Sequence, residues 1–226
     1  LQQIAERTYS RTLDSRLGVA QEELRRMQST PPESLPVREK LLQDRPDHIH
    51  EHDTEVYSAD PDNPYGFRIE VPKHKYNKGE VYNLSIGRGT LTDEERFKIN
   101  DHIVQTIVML EQLPFPKHLE RVPEIAGGHH EKMDGTGYPK RIMGGDMSVP
   151  ARVMAIADVF EALTAADRPY KKPKTLSESI RIMSFMVKDQ HLDSELFRLF
   201  LESGVYRDYA DRYLMPSQVD EVQIAD

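Results

Sequence analysis

Along the first 28 residues the apolar positions Leu13, Leu17, Ala20, Leu24 and Met27 step by four, three, four and three. That spacing predicts an amphipathic helix over residues 1–28. Its apolar face either packs on its own domain or pairs with a second copy through a short heptad seam. Pro31 and Pro32 end it, since proline brings no amide hydrogen and clashes with the preceding turn. A second short helix is expected from Pro36 to Leu42. Residues 44–79 carry Pro46, Pro61, Pro64 and Pro72 among many Asp and His, which predicts mostly loop. Within them Phe67-Arg68-Ile69-Glu70-Val71 alternates and suits one short strand.

From about residue 80 the helical period returns. Thr92 and Glu95 have the spacing of a capping box, and Ile99, Ile103, Ile107 and Leu110 then share one helix face. Pro114 and Pro116 stop that helix. Another runs through Val122, Ile125 and Ala126 and ends near His129-His130. A glycine-rich loop over 132–148 follows. Next comes a helix from about Val149 to Ala165, apolar on almost every side and so expected to be buried all round. Helices over 177–188 and within 193–214 complete the pattern, with Asp193 as an N-cap. The fold class is all-α. The expected segments are a helical stretch 1–43, a loop-rich insertion 44–80, a core 81–214 and a tail 215–226.

Composition narrows the function. With 38% hydrophobic residues in 226, the chain can bury the core of one medium domain. A net charge of -8 argues against binding long nucleic acid, but leaves room for a small phosphate ligand held by a few local cations. There is no cysteine, so disulfides, thiolate nucleophiles and Cys-held metals are excluded, and any metal must be held by His and carboxylate. No apolar run reaches membrane length and no signal peptide is visible, so a cytoplasmic location is expected. The chain opens at Leu1 inside a helical pattern, and reads as a piece of a longer protein.

Asp158 lies in the middle of the apolar helix. A carboxylate there needs a cation, a metal or hydrogen-bond donors, and the sequence leaves these open. Adjacent histidines on a helix point about 100° apart, so His129 and His130 suit two metals, or a metal and a phosphate, or simply a solvated surface. His102 precedes the apolar Ile103, where a core histidine is the plain alternative. Together, three imidazoles and one carboxylate from three helices make an N/O donor set. Such a set suits Fe, Mn, Zn or Ni better than Ca or Mg. Fe, Mn or Ni is the expected metal, ahead of Zn.

The run His129-His130-Glu131-Lys132-Met133-Asp134-Gly135-Thr136-Gly137-Tyr138-Pro139 resembles the HHExxDGxGYP signature of the HD-GYP phosphodiesterases. Arg152 to Ala165, Asp167-Arg168-Pro169-Tyr170-Lys171, and Leu91 through His102 match that family's flanking segments. The resemblance spans roughly residues 81–214. It implies an all-α HD-superfamily bundle with two or three divalent metals that hydrolyses cyclic di-GMP to pGpG or GMP. It also implies metal ligation by His102, His129, His130 and Asp158. Tyr138, Gly137 and Pro139 of the loop, with Arg168 and Lys171, would contact the nucleotide. On the residues alone, Gly137 permits close backbone approach, Pro139 stiffens the loop, and Tyr138 offers a stacking face and a hydroxyl. Arg168 offers a fork for phosphate, although Arg168 and Lys171 equally suit a solvated helix–loop junction.

The chain departs from the family in one respect. The family's His-Asp dyad is followed by Lys and precedes the helix that matches 92–113. The literal pair here, His52-Asp53, lies with His50 in a polar, loop-like stretch and lacks a following Gly-Lys. It reads as solvated loop. The dyad is therefore expected upstream of Leu1, which leaves this chain four ligands and an uncertain activity of its own. An upstream sensor domain and a homodimer through helix 1–28 are the other expected partners. Two rival functions remain: a cyclic di-GMP sensor or scaffold without catalysis, and an HD phosphohydrolase acting on another nucleotide. The Gly-Tyr-Pro loop argues against the second.

Overall fold

The computed structural model describes residues 1–27, 34–52, 60, 62–87, 89–166 and 172–223. They fall into two compact units, Leu1–Val56 with Glu70–Ile99, and Tyr57–Ile69 with Asn100–Asp226.

The first unit contains α1 (Gln2–Ala5), β1 (Thr8–Arg11), α2 (Gln21–Met27), β2 (Val37–Lys40), β3 (Ile49–His50), β4 (Tyr76–Asn77), α3 (Glu80–Leu84) and the start of α4 (Asp93–Glu111). β1 and β2 pair antiparallel with Tyr9 opposite Glu39, and β3 pairs with β4 with His50 opposite Tyr76. Side chains tie the first pair together. The Tyr9 hydroxyl and the Arg11 Nε both donate to the Glu39 carboxylate at 2.9 Å, and Arg38 Nε donates to Thr8 Oγ1 at 2.8 Å.

This overturns the helix expected over residues 1–28. Thr8 to Arg11 is extended, because a β-branched and an aromatic residue favour strand once a partner strand exists. Leu13 and Leu17, the first positions of the supposed seam, are 68% and 69% exposed. With no continuous helix, the basis for a dimer through that face disappears. The helix expected from Pro36 to Leu42 is also replaced, by β2, in which half-buried and exposed residues alternate. The strand expected over Phe67 to Val71 does not form among the described residues. Instead Asn63 takes both backbone groups of Phe67: its Oδ1 accepts from Phe67 N at 2.8 Å, and its Nδ2 donates to Phe67 O at 3.0 Å.

In the second unit α4 continues, followed by α5 (Val122–Gly128), α6 (Val149–Thr164), α7 (Leu176–Lys188), α8 (Ser194–Glu202) and α9 (Val205–Tyr213). Among its described residues this unit is all helix and loop. The helix starts are capped as their sequences dictate. Thr92 and Glu95 exchange hydrogen bonds ahead of α4, Ser148 caps α6, Thr175 and Glu178 form a capping box for α7, and Asp193 accepts from the Glu195 and Leu196 amides at the start of α8. Ile156, Phe160, Leu176, Ile180, Met183, Leu192, Phe197 and Tyr206 form the main core. Ile103, Val104, Ile107 and Val108 of α4 form a second cluster with Phe67. Ile99 does not join them, at 53% exposed.

α6 is not buried all round. It packs against α5, α7 and α8 through Ala151, Ala155, Ile156 and Phe160, while Val149, Val153 and Met154 are 51%, 48% and 39% exposed. Apolar character on every face therefore does not mean burial on every face: the described neighbours cover only one side. Asp158 consequently lies half-buried rather than in the interior. No helix among the described residues is long and apolar enough to cross a membrane.

Candidate metal centre

The second unit brings three histidines to one point. α4 commits Ile103, Val104, Ile107 and Val108 to the core, which leaves the preceding His102 on its exposed side. α5 ends in two buried glycines. A Cβ on Gly127 would lie 2.7 Å from the Ile107 side chain, and one on Gly128 2.9 Å from the Ala151 Cβ. The lack of side chains lets the end of α5 approach both α4 and α6, and His129 and His130 follow at once.

The ligand nitrogens of His102, His129 and His130 all lie within 4.8 Å of one another. His130 Nε2 is 3.1 Å from His102 Nε2, and the His129 and His130 rings are 4.1 Å apart. The two adjacent histidines therefore address one site, at the point where α5 ends. For metal–nitrogen bonds of about 2.0–2.1 Å, ligand nitrogens sit about 3 Å apart at right angles and about 3.4 Å apart in a tetrahedron. The His102–His130 separation of 3.1 Å falls in this range. His129 Nδ1 lies 2.6 Å from the Ala126 carbonyl, to which it donates, leaving Nε2 with a free lone pair.

Electrostatics point the same way. Burial, then the neighbouring His129, pushes the His130 pKa down to about 4, against the pull of Asp158. His130 is thus neutral at neutral pH, with no proton to lose before binding a cation. No other group of three or more metal-capable side chains converges among the described residues.

Asp158 is not one of the converging three. It makes no ion pair among the described residues, and its charge is felt at both His130 and Tyr138. Tyr138 packs against the α4 cluster and lies nearly parallel to His130, with ring centroids 4.8 Å apart at 20°. Burial, then Asp158, raises its hydroxyl pKa. Gly137 is buried where only glycine fits, since a Cβ would lie 2.5 Å from Glu131 Cα and closer still to Lys132 N. Pro139 is buried too, and its carbonyl accepts from Arg68 N at 2.7 Å. Arg168, Lys171 and Asp53 lie outside the described residues. In the first unit His50 lies in β3 rather than in a loop and packs edge-on against Tyr76, and His52 Nε2 lies 3.0 Å from the Pro72 carbonyl.

Two features of the site escaped the sequence. Glu131 is 1% exposed and accepts from the Lys140 and Ile142 amides at 2.6 and 3.0 Å. The turn between α7 and α8 offers the Gln190 carbonyl to Asp134 N at 3.1 Å and the His191 carbonyl to Met133 N at 3.4 Å. Both involve backbone partners, which leave no periodic or compositional signal.

Comparison with known proteins bears on this geometry. The HD domain family matches residues 36–196, well over half the chain. The chain belongs to the HD domain family. Its resemblance to the HD-GYP phosphodiesterases is borne out by relatives of this HD domain. One is the 3′3′-cGAMP-specific phosphodiesterase 1 of Vibrio cholerae, 36% identical over 62% of this chain and 33% of that protein. A second, the 3′3′-cGAMP-specific phosphodiesterase 2 of the same organism, is 35% identical over 58% of the chain and 25% of that protein. A cyclic di-GMP phosphodiesterase of Pseudomonas aeruginosa is 37% identical over 52% of the chain and 28% of that protein. The chain spans about a third or less of the length of these relatives. HD domains are metal-dependent, and the convergent histidines are a fitting place for a metal.

Proposed function

We propose that the protein is a metal-dependent phosphodiesterase acting on a cyclic dinucleotide, with residues 81–214 as its catalytic core. The observation that carries this reading is the convergence of His102, His129 and His130 within 4.8 Å, beside the Tyr138 loop. These three histidines would hold a divalent ion, with Asp158 as the nearby carboxylate; their nitrogen-rich donor set favours Fe, Mn, Zn or Ni over Mg or Ca, and Fe, Mn or Ni is proposed ahead of Zn. When bound, the ion supplies Lewis-acid activation of water and neutralises charge developing on the phosphoryl oxygens. The chain's own contribution is position. His129 is held by the Ala126 carbonyl, and His130 is kept neutral by burial. Tyr138, Gly137, Pro139, Arg168 and Lys171 would meet the nucleotide. The setting would be cytoplasmic, alongside a sensor domain.

The relatives' names support two substrates, cyclic di-GMP and 3′3′-cGAMP. Incubating the Mn2+-loaded chain with each and resolving linear products by chromatography tests the reading. Metal-dependent opening of either ring supports it. Nucleotide binding that is indifferent to metal, with no product, favours a sensor or scaffold instead.

A further inference from the structure

Glu131 follows the proposed ligand His130 directly, yet it does not face the histidines' meeting point. Its carboxylate is turned inward and is among the most completely buried polar groups described. Burial pushes its pKa up, and the backbone amides of Lys140, Ile142 and Arg141 act against that rise. A buried acid this close to a metal centre is costly unless donors satisfy it. Here the donors are consecutive main-chain amides at the far end of the loop. One oxygen accepts from Lys140 N at 2.6 Å and the other from Ile142 N at 3.0 Å. Between them Arg141 takes a positive φ of 57°, which a residue with a side chain adopts only when its surroundings hold it there.

The loop is thus wound around the carboxylate. Gly137 passes against the Glu131 backbone where no Cβ fits. Tyr138 N then donates to the His130 carbonyl at 3.2 Å, and the Tyr138 ring lies flat on the His130 imidazole. On the other side of the contact, His130 Nε2 faces His102 Nε2 at 3.1 Å. A continuous path of hydrogen bonds and stacking therefore runs from the Glu131 carboxylate through residues 138–142 to the orientation of the His130 ring.

We propose that Glu131 and Tyr138 are positioning residues of the metal centre: the buried carboxylate fixes the loop so that the Tyr138 ring clamps the His130 imidazole toward His102. This gives Tyr138 a role distinct from base stacking, because one face of its ring is already covered. It rests on the reading of His130 as a ligand, but its geometric half is testable without metal.

The test compares the whole chain with Glu131→Gln, Tyr138→Leu and Tyr138→Phe. Gln keeps the size of Glu131 but turns an amino group toward one of the amides that the carboxylate accepts. In the metal-free protein, the His130 ring protons should be shifted upfield by the Tyr138 ring current in NMR spectra. That shift should persist in Tyr138→Phe and be lost in Tyr138→Leu and Glu131→Gln. Mn2+ affinity, measured by electron paramagnetic resonance, should fall about 10- to 100-fold in the latter two and stay unchanged in Tyr138→Phe. Unaltered His130 resonances in a folded Glu131→Gln chain, or equal shifts in Tyr138→Leu and Tyr138→Phe, would overturn the proposal. If Glu131→Gln does not fold, the two Tyr138 variants decide the matter. If the unaltered chain takes up no Mn2+, the metal reading fails, while the ring-current comparison still judges the clamp.

Discussion

The two compact units hold themselves together by different means. In Leu1–Val56 with Glu70–Ile99, short strands are tied by polar cross-strand side chains such as Tyr9, Arg11 and Glu39, and large apolar residues such as Leu13 and Leu17 face water. In Tyr57–Ile69 with Asn100–Asp226, helices are capped, their apolar faces meet in a shared core, and even the long loop is secured by a buried acid. Three converging imidazoles need side chains held to within a fraction of an ångström, and the second kind of structure supplies that precision. The first kind tolerates change.

That contrast can be broken by substitution. The largest effect is expected at Asp193, which caps α8 and also accepts from Arg152 at 2.6 Å with 7% of its side chain exposed. Asp193→Ala should cost about 3 kcal/mol, by removing the cap and stranding a largely buried guanidinium. Chemical denaturation measures it. The same residue sets a pH dependence. Burial pushes its carboxyl up, but the Leu196 and Glu195 amides and the Arg152 guanidinium outweigh this and hold it below the usual range. Its contribution is therefore complete above the unfolded carboxylate value of about 4 and is lost as pH falls through the lower folded value. Loss of that acid sensitivity in Asp193→Ala is the expected result.

Gly137→Ala comes next. Its new methyl would meet main-chain atoms of Glu131 and Lys132, which cannot swing aside. A destabilisation of about 2 kcal/mol is expected, seen as a lower denaturation midpoint with weakened metal uptake. The smallest effect is expected at Glu39→Gln in the first unit, which keeps a carbonyl acceptor for Tyr9 and Arg11 and replaces charge-assisted hydrogen bonds by neutral ones, at a cost of about 1 kcal/mol. A loss there as large as that of Asp193→Ala would erase the contrast.

Legibility in the sequence follows the same division. Thr92 with Glu95, Asp193, and the prolines at 114 and 116 are local signals, and each marks a helix boundary where the structure has one. The motif around His129-His130 points to the candidate site because its residues are neighbours in sequence. The β1–β2 pair was invisible, since Tyr9 and Glu39 meet across 30 positions and neither strand alternates strongly by itself. The open side of α6 was invisible too, because exposure of Val149 and Val153 depends on which elements pack nearby. Glu131 looked like one more polar residue of a motif, since its partners are amides nine and eleven residues further on.

The central claim is that His102, His129 and His130 jointly bind a divalent ion. Titrating the chain with Mn2+ while following its electron paramagnetic resonance signal tests this directly, beside His102→Ala and His130→Ala. One ion bound per chain, with affinity lowered at least about tenfold in each variant, is the predicted result. Binding as tight in both variants as in the unaltered chain would contradict it.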